Sequence, residues 1–320
     1  MTRSEAAQFI EDARRQLEAT LGEELPPEFV SLLERSFHTL DVQRGRLPLW
    51  PCNLDLVPAP AIRAQAGPVS YRHLFYGLAE HFWLIRFGCG YRGDQHLLDV
   101  GCGYGKTALA LLRTIRPPGS YTGFDINPKL VEFLRKLFVR VGVADFFRAE
   151  HFPIDNQFYR HAGASIPPSQ FVFPYEANRF HCAVLFSVFT HMGSAAVKNY
   201  VNHLARVVIP GGTILVSAFL LENAPEGGAE NGAWAASARR RALREPPDPH
   251  ERGVLRVLNV ERPEYLVAYR LDYLVANFRE AGCHLVGDPL WGSWSGRPDF
   301  YGYQDYLIFR KRSPQAVADA

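Results

Sequence analysis

The chain is poor in features that would take it out of a reducing, aqueous setting. Its five cysteines (Cys52, Cys89, Cys102, Cys182 and Cys283) are scattered along 320 residues. They include no C-x-x-C pair and no His–Cys spacing suited to zinc, so no metal is expected. An odd, unpaired set suits a reducing compartment and excludes a disulfide framework. Excess charge of one sign is lacking too, since 35 Lys and Arg nearly balance 33 Asp and Glu. No net field therefore draws the chain to nucleic acid or to an acidic membrane surface. The densest basic run, Arg239-Arg240-Arg241 with Arg244, reads as a solvated face. Residues 1–20 carry charges without an apolar core, and no apolar run reaches the ~18 residues of a membrane span. A cytoplasmic protein with no nucleic-acid or membrane partner is expected. Internal repeats are absent, and nothing fixes an oligomeric state.

What is present is a large apolar content, 47% of residues, enough for a full core. The pattern is organised around His96-Leu97-Leu98-Asp99-Val100-Gly101-Cys102-Gly103-Tyr104-Gly105-Lys106. An apolar strand runs into glycines at alternate positions, and an Ala- and Leu-rich helix opens at Lys106. Glycine lets the backbone turn tightly and approach a ligand without a Cβ in the way. The helix that follows aims free N–H groups and its positive dipole end at the turn. Such a strand, turn and helix start suits an anionic or nucleotide-like group.

Spacing separates the ligand classes. The dinucleotide pattern G-x-G-x-x-G needs a glycine at 106, where Lys106 stands. The Walker pattern needs one at 100, where Val100 stands. D-x-G-x-G-x-G, Asp99 through Gly105, does fit, and it resembles motif I of class I S-adenosylmethionine (SAM)-dependent methyltransferases.

Around that motif the chain reads in order. Helical periodicity over Ser4–Leu21, Glu28–Leu40 and Tyr71–Phe87, with a proline-rich connection over 45–70, predicts an N-terminal helical cap at 1–95. Strands and helices then alternate, as in a parallel sheet with crossover helices. Strands are expected at Leu97–Val100, Tyr121–Phe124, Ala144–Ala149, Cys182–Val188 and Thr213–Phe219, then at His284–Val286 and Tyr306–Phe309. Helices are expected at Lys106–Ile115, Lys129–Val141, Ala195–Val208 and Arg270–Ala281. The domain spans 96–312, with insertions at 151–178 and 222–260, and 313–320 is a frayed tail. The fold class is α/β: a Rossmann-like, doubly wound, mostly parallel seven-stranded sheet behind the cap.

Asp125 closes the second strand, where an acid in a doubly wound sheet accepts hydrogen bonds from ribose hydroxyls. Both NAD enzymes and methyltransferases share that feature, and Asp-x-x-Pro also caps helices. Phe186-Ser187-Val188-Phe189-Thr190-His191-Met192 and Arg206-Val207-Val208-Ile209-Pro210-Gly211-Gly212 resemble later motifs of small-molecule methyltransferases. Ser187–Met192 stands where adenine-methylating DNA enzymes carry Asn/Asp-Pro-Pro-Tyr/Trp. Gly292-Ser293-Trp294-Ser295-Gly296-Arg297 and Tyr303-Gln304-Asp305 extend the resemblance to a bacterial group sharing S-V-F-T-H-M, G-x-W-x-G-R and Y-Q-D. That group usually shows Asp-x-x-Asn and Tyr-Asn-Pro between strands three and four, whereas this chain reads His151-Phe152-Pro153-Ile154-Asp155-Asn156-Gln157-Phe158-Tyr159.

The resemblance implies SAM as cofactor, held by Asp99, Gly101, Cys102, Gly103, Gly105, Asp125, Ile126, Asp155, Asn156 and Ser187. Asp155 and Asn156 are the candidates at adenine, with Glu150 next. It implies methyl transfer to a small-molecule or glycan-like acceptor, with oxygen as the expected atom and His191 as the candidate base. Carbon or nitrogen methylation, a non-catalytic SAM-binding protein and an NAD-linked oxidoreductase are the alternatives. Trp291, Trp294 and Arg297 read as packing and pairing residues.

Overall fold

The computed structural model describes residues 15, 56–67, 70–157, 159, 163, 165–223 and 243–313. The expected helices over 4–21 and 28–40 (Arg15 apart), Cys52, Arg239–Arg241 and the tail from 314 lie outside them.

In chain order, a single helical turn at Pro60–Arg63 precedes α1, Tyr71–Trp83. Ser70 caps α1 by accepting from the His73 amide at 3.2 Å. A π-helical turn, Leu84–Gly88, follows. Then come β1 (His96–Val100), α2 (Lys106–Leu111), β2 (Ser120–Asp125), α3 (Pro128–Arg140), β3 (Phe147–His151), β4 (Phe180–Leu185) and α4 (Ser194–Val207). The chain continues through β5 (Val208–Ala218), β6 (Leu255–Val257), β7 (Val267–Tyr269), α5 (Leu271–Glu280), β8 (Cys283–Leu285) and β9 (Asp305–Lys311). Seven strands form one sheet in the order β3-β2-β1-β4-β5-β9-β8, and β6 and β7 form a small second one. The first five are parallel, and β9 inserts antiparallel between β5 and β8. The Rossmann-like, mostly parallel seven-stranded sheet is therefore as expected.

Each face of the sheet carries its own core. Leu98, Val100, Phe124 and Leu185 face α4 and α5, meeting Val197, Tyr200, Leu204 and Phe278. Leu97, Tyr121, Cys182 and Val184 face the other way, toward Leu74 and Leu78 of α1, Leu109 of α2 and Leu134 of α3. Alternate side chains of a strand point to opposite faces, so each strand serves both layers. The described part of the cap thus shares the sheet's core.

Several boundaries differ from the sequence reading. The first helix ends at Leu111 rather than Ile115, because the chain turns toward the Pro117-Pro118 step. The third strand starts at Phe147, after residues 143–146 close a turn on α3. The fifth strand begins at Val208, with Pro210-Gly211-Gly212 inside it and a register shift against β4. The expected excursion over 222–260 ends in order: Leu255–Val257 pairs with Val267–Tyr269, and the Tyr269 hydroxyl donates to the Met192 carbonyl at 2.6 Å.

Two hydrogen-bond networks brace the sheet, one where α4 enters β5 and a buried one at the carboxyl end of β5. Arg206 donates to the Phe173 and Tyr175 carbonyls, both at 2.6 Å, tying the insertion to α4. Asp305 heads β9 without solvent exposure and accepts four hydrogen bonds. Oδ1 takes Asn223 Nδ2 at 2.6 Å and the Gly292 amide at 2.7 Å. Oδ2 takes the Leu220 amide at 2.8 Å and Trp294 Nε1 at 2.7 Å. Arg297 donates to Asn223 Oδ1 at 2.9 Å and lies over the Trp291 ring. The G-x-W-x-G-R and Y-Q-D segments therefore meet on one carboxylate.

Candidate active site

The cleft opens at the carboxyl ends of β1, β2 and β4, where open α/β sheets bind ligands. Its near wall is the glycine turn after β1. The Gly101 and Cys102 amides both donate to the Phe124 carbonyl at 2.9 Å, folding the turn onto β2. Gly101 and Gly103 adopt positive φ, +70° and +52°, where a side chain is strained. At Gly101 a Cβ would also press on Val188 Cγ2 at 2.6 Å. At Gly103 the nearest atom would be Ala66 Cβ, 3.4 Å away, a van der Waals contact, so the positive φ is what favours glycine there.

Asp125 ends β2 beside that turn. Its Oδ2 accepts from the Gly103 amide at 2.7 Å and its Oδ1 from the Asn127 amide at 2.8 Å. The carboxylate is thereby held rigid at the cleft. Asn127 caps α3 through the Lys129 amide at 3.0 Å, with Pro128 at the first helical position. The expected Asp-x-x-Pro cap belongs to Asn127 instead, which leaves Asp125 facing the cleft.

The far wall is the stretch after β4. Ser187 adopts φ +60°, uncommon for a residue with a side chain. Its amide donates to Ser217 Oγ at 2.8 Å, and its hydroxyl donates to Gln304 Oε1 at 3.1 Å. Ser217 Oγ donates to the same Gln304 oxygen at 2.5 Å, so β4, β5 and the head of β9 share one node. His191 ends a short helical turn, with Nδ1 3.1 Å from the Glu264 carbonyl. Its own carbonyl accepts from Asn156 Nδ2 at 2.8 Å, and the Tyr159 ring stands edge-on to the imidazole. Burial pulls the His191 pKa below 6.5, while hydrogen bonds to the Glu264 and Tyr265 backbone pull it back up. The ring is neutral at pH 7 and above.

Of the expected residues, Gly101, Gly103, Asp125, Ile126, Asp155, Asn156, Ser187 and His191 line this one cleft. Asp99, Cys102 and Gly105 do not. Asp99 points to the opposite face of β1, where it accepts from the Tyr121 hydroxyl at 2.7 Å. Cys102 lies in that same layer, packed against Gly123. Gly105 caps α2 with φ +88°, and a Cβ there would overlap Leu134 of α3. These three shape the turn from beneath. Glu150, the second candidate at adenine, accepts from the Tyr175 hydroxyl at 2.7 Å. Gln65, Ala66, Met192 and Tyr159 line the cleft without having been singled out. Gln65 and Ala66 fall in the proline-rich connection, whose sequence carries no periodic signal. Among the described residues no cluster of three or more metal-ligating side chains occurs.

Burial pushes the Asp99 carboxyl up to about 7, against hydrogen bonds from Tyr121 and Thr107 that lower it. The folded chain therefore binds this proton more tightly than the unfolded chain, whose aspartates titrate near ~3.9. The stability it contributes is full below that value and is lost as pH rises through about 7. Asp99→Asn removes this dependence. Unfolding in urea at about pH 5 and pH 7.5 should show the variant gaining roughly 2–3 kcal/mol on the wild type across that interval. A difference constant with pH would refute the assignment.

Residues 98–216 match the family model described as a methyltransferase domain. This match covers well under half of the chain. The Gly103 turn beside a fixed carboxylate at Asp125 fits a nucleoside group. The phthiotriol/phenolphthiotriol dimycocerosates methyltransferase of Mycobacterium tuberculosis (strain H37Rv) is 39% identical over 67 residues, 20% of this chain and 24% of the relative. Its Mycobacterium leprae counterpart is 38% identical over 65 residues, 20% of this chain and 23% of the relative. The chain thus spans about a quarter of the length of these curated relatives. Among solved structures, a SAM-dependent methyltransferase of Methanosarcina mazei is 17% identical with a TM-score of 0.42, covering 69% of this chain and 94% of its own. Geranyl diphosphate methyltransferase, solved with SAM, is 13% identical with a TM-score of 0.45, covering 78% and 94%.

Proposed function

We propose that the chain is a SAM-dependent methyltransferase acting on a small-molecule or glycan-like acceptor, with oxygen as the favoured atom. The observation that carries this reading is the pairing of Asp125 with the Gly101–Gly103 turn, across a single cleft from His191. Asp125, fixed at the cleft by the Gly103 and Asn127 amides, takes the ribose hydroxyls. Gly101 and Gly103 allow backbone contact, Ile126 gives an apolar wall, Asp155 or Asn156 meets the adenine edge, and Ser187 lies toward the amino-acid end. When bound, SAM supplies a methyl group already activated on a sulfonium. What the chain adds is alignment, exclusion of water and a place for the acceptor's proton. With Nδ1 3.1 Å from the Glu264 carbonyl, the neutral His191 ring is held at the cleft, where the acceptor's proton would be taken up.

A second reading has its own support. Two backbone carbonyls hold the His191 ring, which also suits a residue that orients a carbon or nitrogen acceptor. A cytoplasmic setting belongs to the main reading and is supported by four buried free thiols, Cys89, Cys102, Cys182 and Cys283. Among the described residues no helix is long and apolar enough to cross a membrane.

Calorimetry with SAM, its demethylated product and NAD tests the cofactor class directly. Asp125→Ala should weaken SAM by about 1.5–3 kcal/mol, the range for hydrogen bonds to a charged group. A folded variant with unchanged SAM affinity, or a wild type preferring NAD, would overturn the proposal.

A further inference from the structure

A second concavity, of about 1230 Å³, lies between α1 and the segment from Leu290 to Tyr306. Its rims are aromatic. Trp83 and Phe87 stack at 4.5 Å on one side, 60% and 59% exposed, and Phe300 and Tyr301 stand opposite at 56% and 72%. Single exposed aromatics need no explanation, but four facing each other across a groove mark a binding surface.

The floor of the groove holds Lys106. Its stem crosses α1 at Gly77, where a Cβ would sit 3.2 Å from Lys106 Cδ. A glycine inside a helix costs about 1 kcal/mol against alanine. Here it clears the path by which the lysine reaches the groove. Burial lowers the Lys106 pKa, and the charges of two carboxylates, Glu80 and Asp99, oppose that shift. Both are already engaged: Glu80 with the Tyr306 hydroxyl and the Tyr303 amide, Asp99 with Tyr121 and Thr107. Gly302 makes room for the Glu80 carboxylate, since a Cβ there would overlap it. No described residue hydrogen-bonds the Lys106 ammonium or forms an ion pair with it. A cation at the bottom of an aromatic trough is thus left to a ligand.

The groove and the cleft share no lining residue. Gln304, between the groove residues Tyr303 and Tyr306, accepts from Ser187 on the cleft wall.

We propose that this groove is a second ligand site, apart from the cleft, and takes a flat aromatic body bearing a carboxylate, which pairs with Lys106. The aromatic walls stack on the ring system and the ammonium fixes its acid end.

The test is calorimetry with two probes of one shape, 2-naphthoate and its uncharged analogue 2-naphthamide. Wild-type protein should bind the acid about tenfold more tightly than the amide, the scale of one charge-assisted hydrogen bond. Lys106→Met should erase that preference and leave the amide unchanged, whereas Trp83→Ala should weaken both probes. SAM affinity should stay the same in both variants, which also reports that they fold. Equal binding of acid and amide, a preference that survives Lys106→Met, displacement of the acid by SAM, or binding of neither probe would each overturn the proposal. Absence of SAM binding by the wild type would instead strike the methyl-transfer reading itself.

Discussion

Asp305→Ala is expected to destabilise the protein by about 3–5 kcal/mol, because it removes the acceptor from four buried donors at once. No water reaches this site, since the residue has no exposed surface. Each orphaned donor forfeits its hydrogen bond and stays desolvated. Asp305→Asn should be nearly as harmful, because its amide nitrogen places a fifth donor where donors already converge. Burial pushes this carboxyl up to about 6 in spite of those donors, so both oxygens are free to accept at pH 7.5. Urea unfolding followed by tryptophan emission reads the effect, Trp294 being one of the four partners. A loss below about 1 kcal/mol would mean that the network relaxes onto other acceptors.

His191→Ala is expected to slow methyl transfer by roughly 10²–10⁴ if its ring takes the acceptor's proton. SAM affinity should stay within about threefold, or roughly 0.6 kcal/mol. The wild-type profile should be flat through neutral pH and fall below pH 6.5, because burial depresses this imidazole and acid must protonate it. Replacing the side chain should remove that acid limb. Equal losses in SAM binding and rate would assign the ring to holding the 264–265 turn. Full activity would pass the role to Asp155 or His151; His161, also within the expected 151–178 insertion, lies outside the described residues.

Much of this arrangement was legible because local pattern and tertiary role coincide along the first half of the domain. Leu97 to Val100, the alternate glycines and Asp125 each had a reason visible within a few residues. The fate of Asp99 was not legible, because a strand sends neighbours to opposite faces and the glycine motif does not say which. Only the register, Asp99 opposite Gly123, reveals that Gly123 clears space for the Tyr121 hydroxyl and Cys102. Gly105 looked like a ligand contact but serves the packing of Leu134, a neighbour supplied by the next helix. The β6–β7 pair was hidden because each strand has three residues, too few for alternation to stand out. Trp294, Arg297 and Gln304 were visible as motifs. Their meeting at Asp305 and Ser187 depends on β9 lying beside β5, a pairing that composition and period do not encode. The aromatic groove arises from elements far apart in sequence, with Gly77 as its local trace.

The position of β9 also bears on how the chain is made. Ala218 of β5 pairs with Asp305, 87 positions later. At about 5–20 residues per second, a ribosome needs roughly 4–17 s to cover that interval. For that time the β5 edge, with Ile214 and Val216 upon it, has no neighbour on its β9 side and is open to pairing with other chains. Gln304, adjacent to Asp305 at the head of β9, also holds the cleft wall at Ser187. A nascent chain therefore acquires the closed sheet and the set cleft wall in the same late event, and a partly made domain has neither.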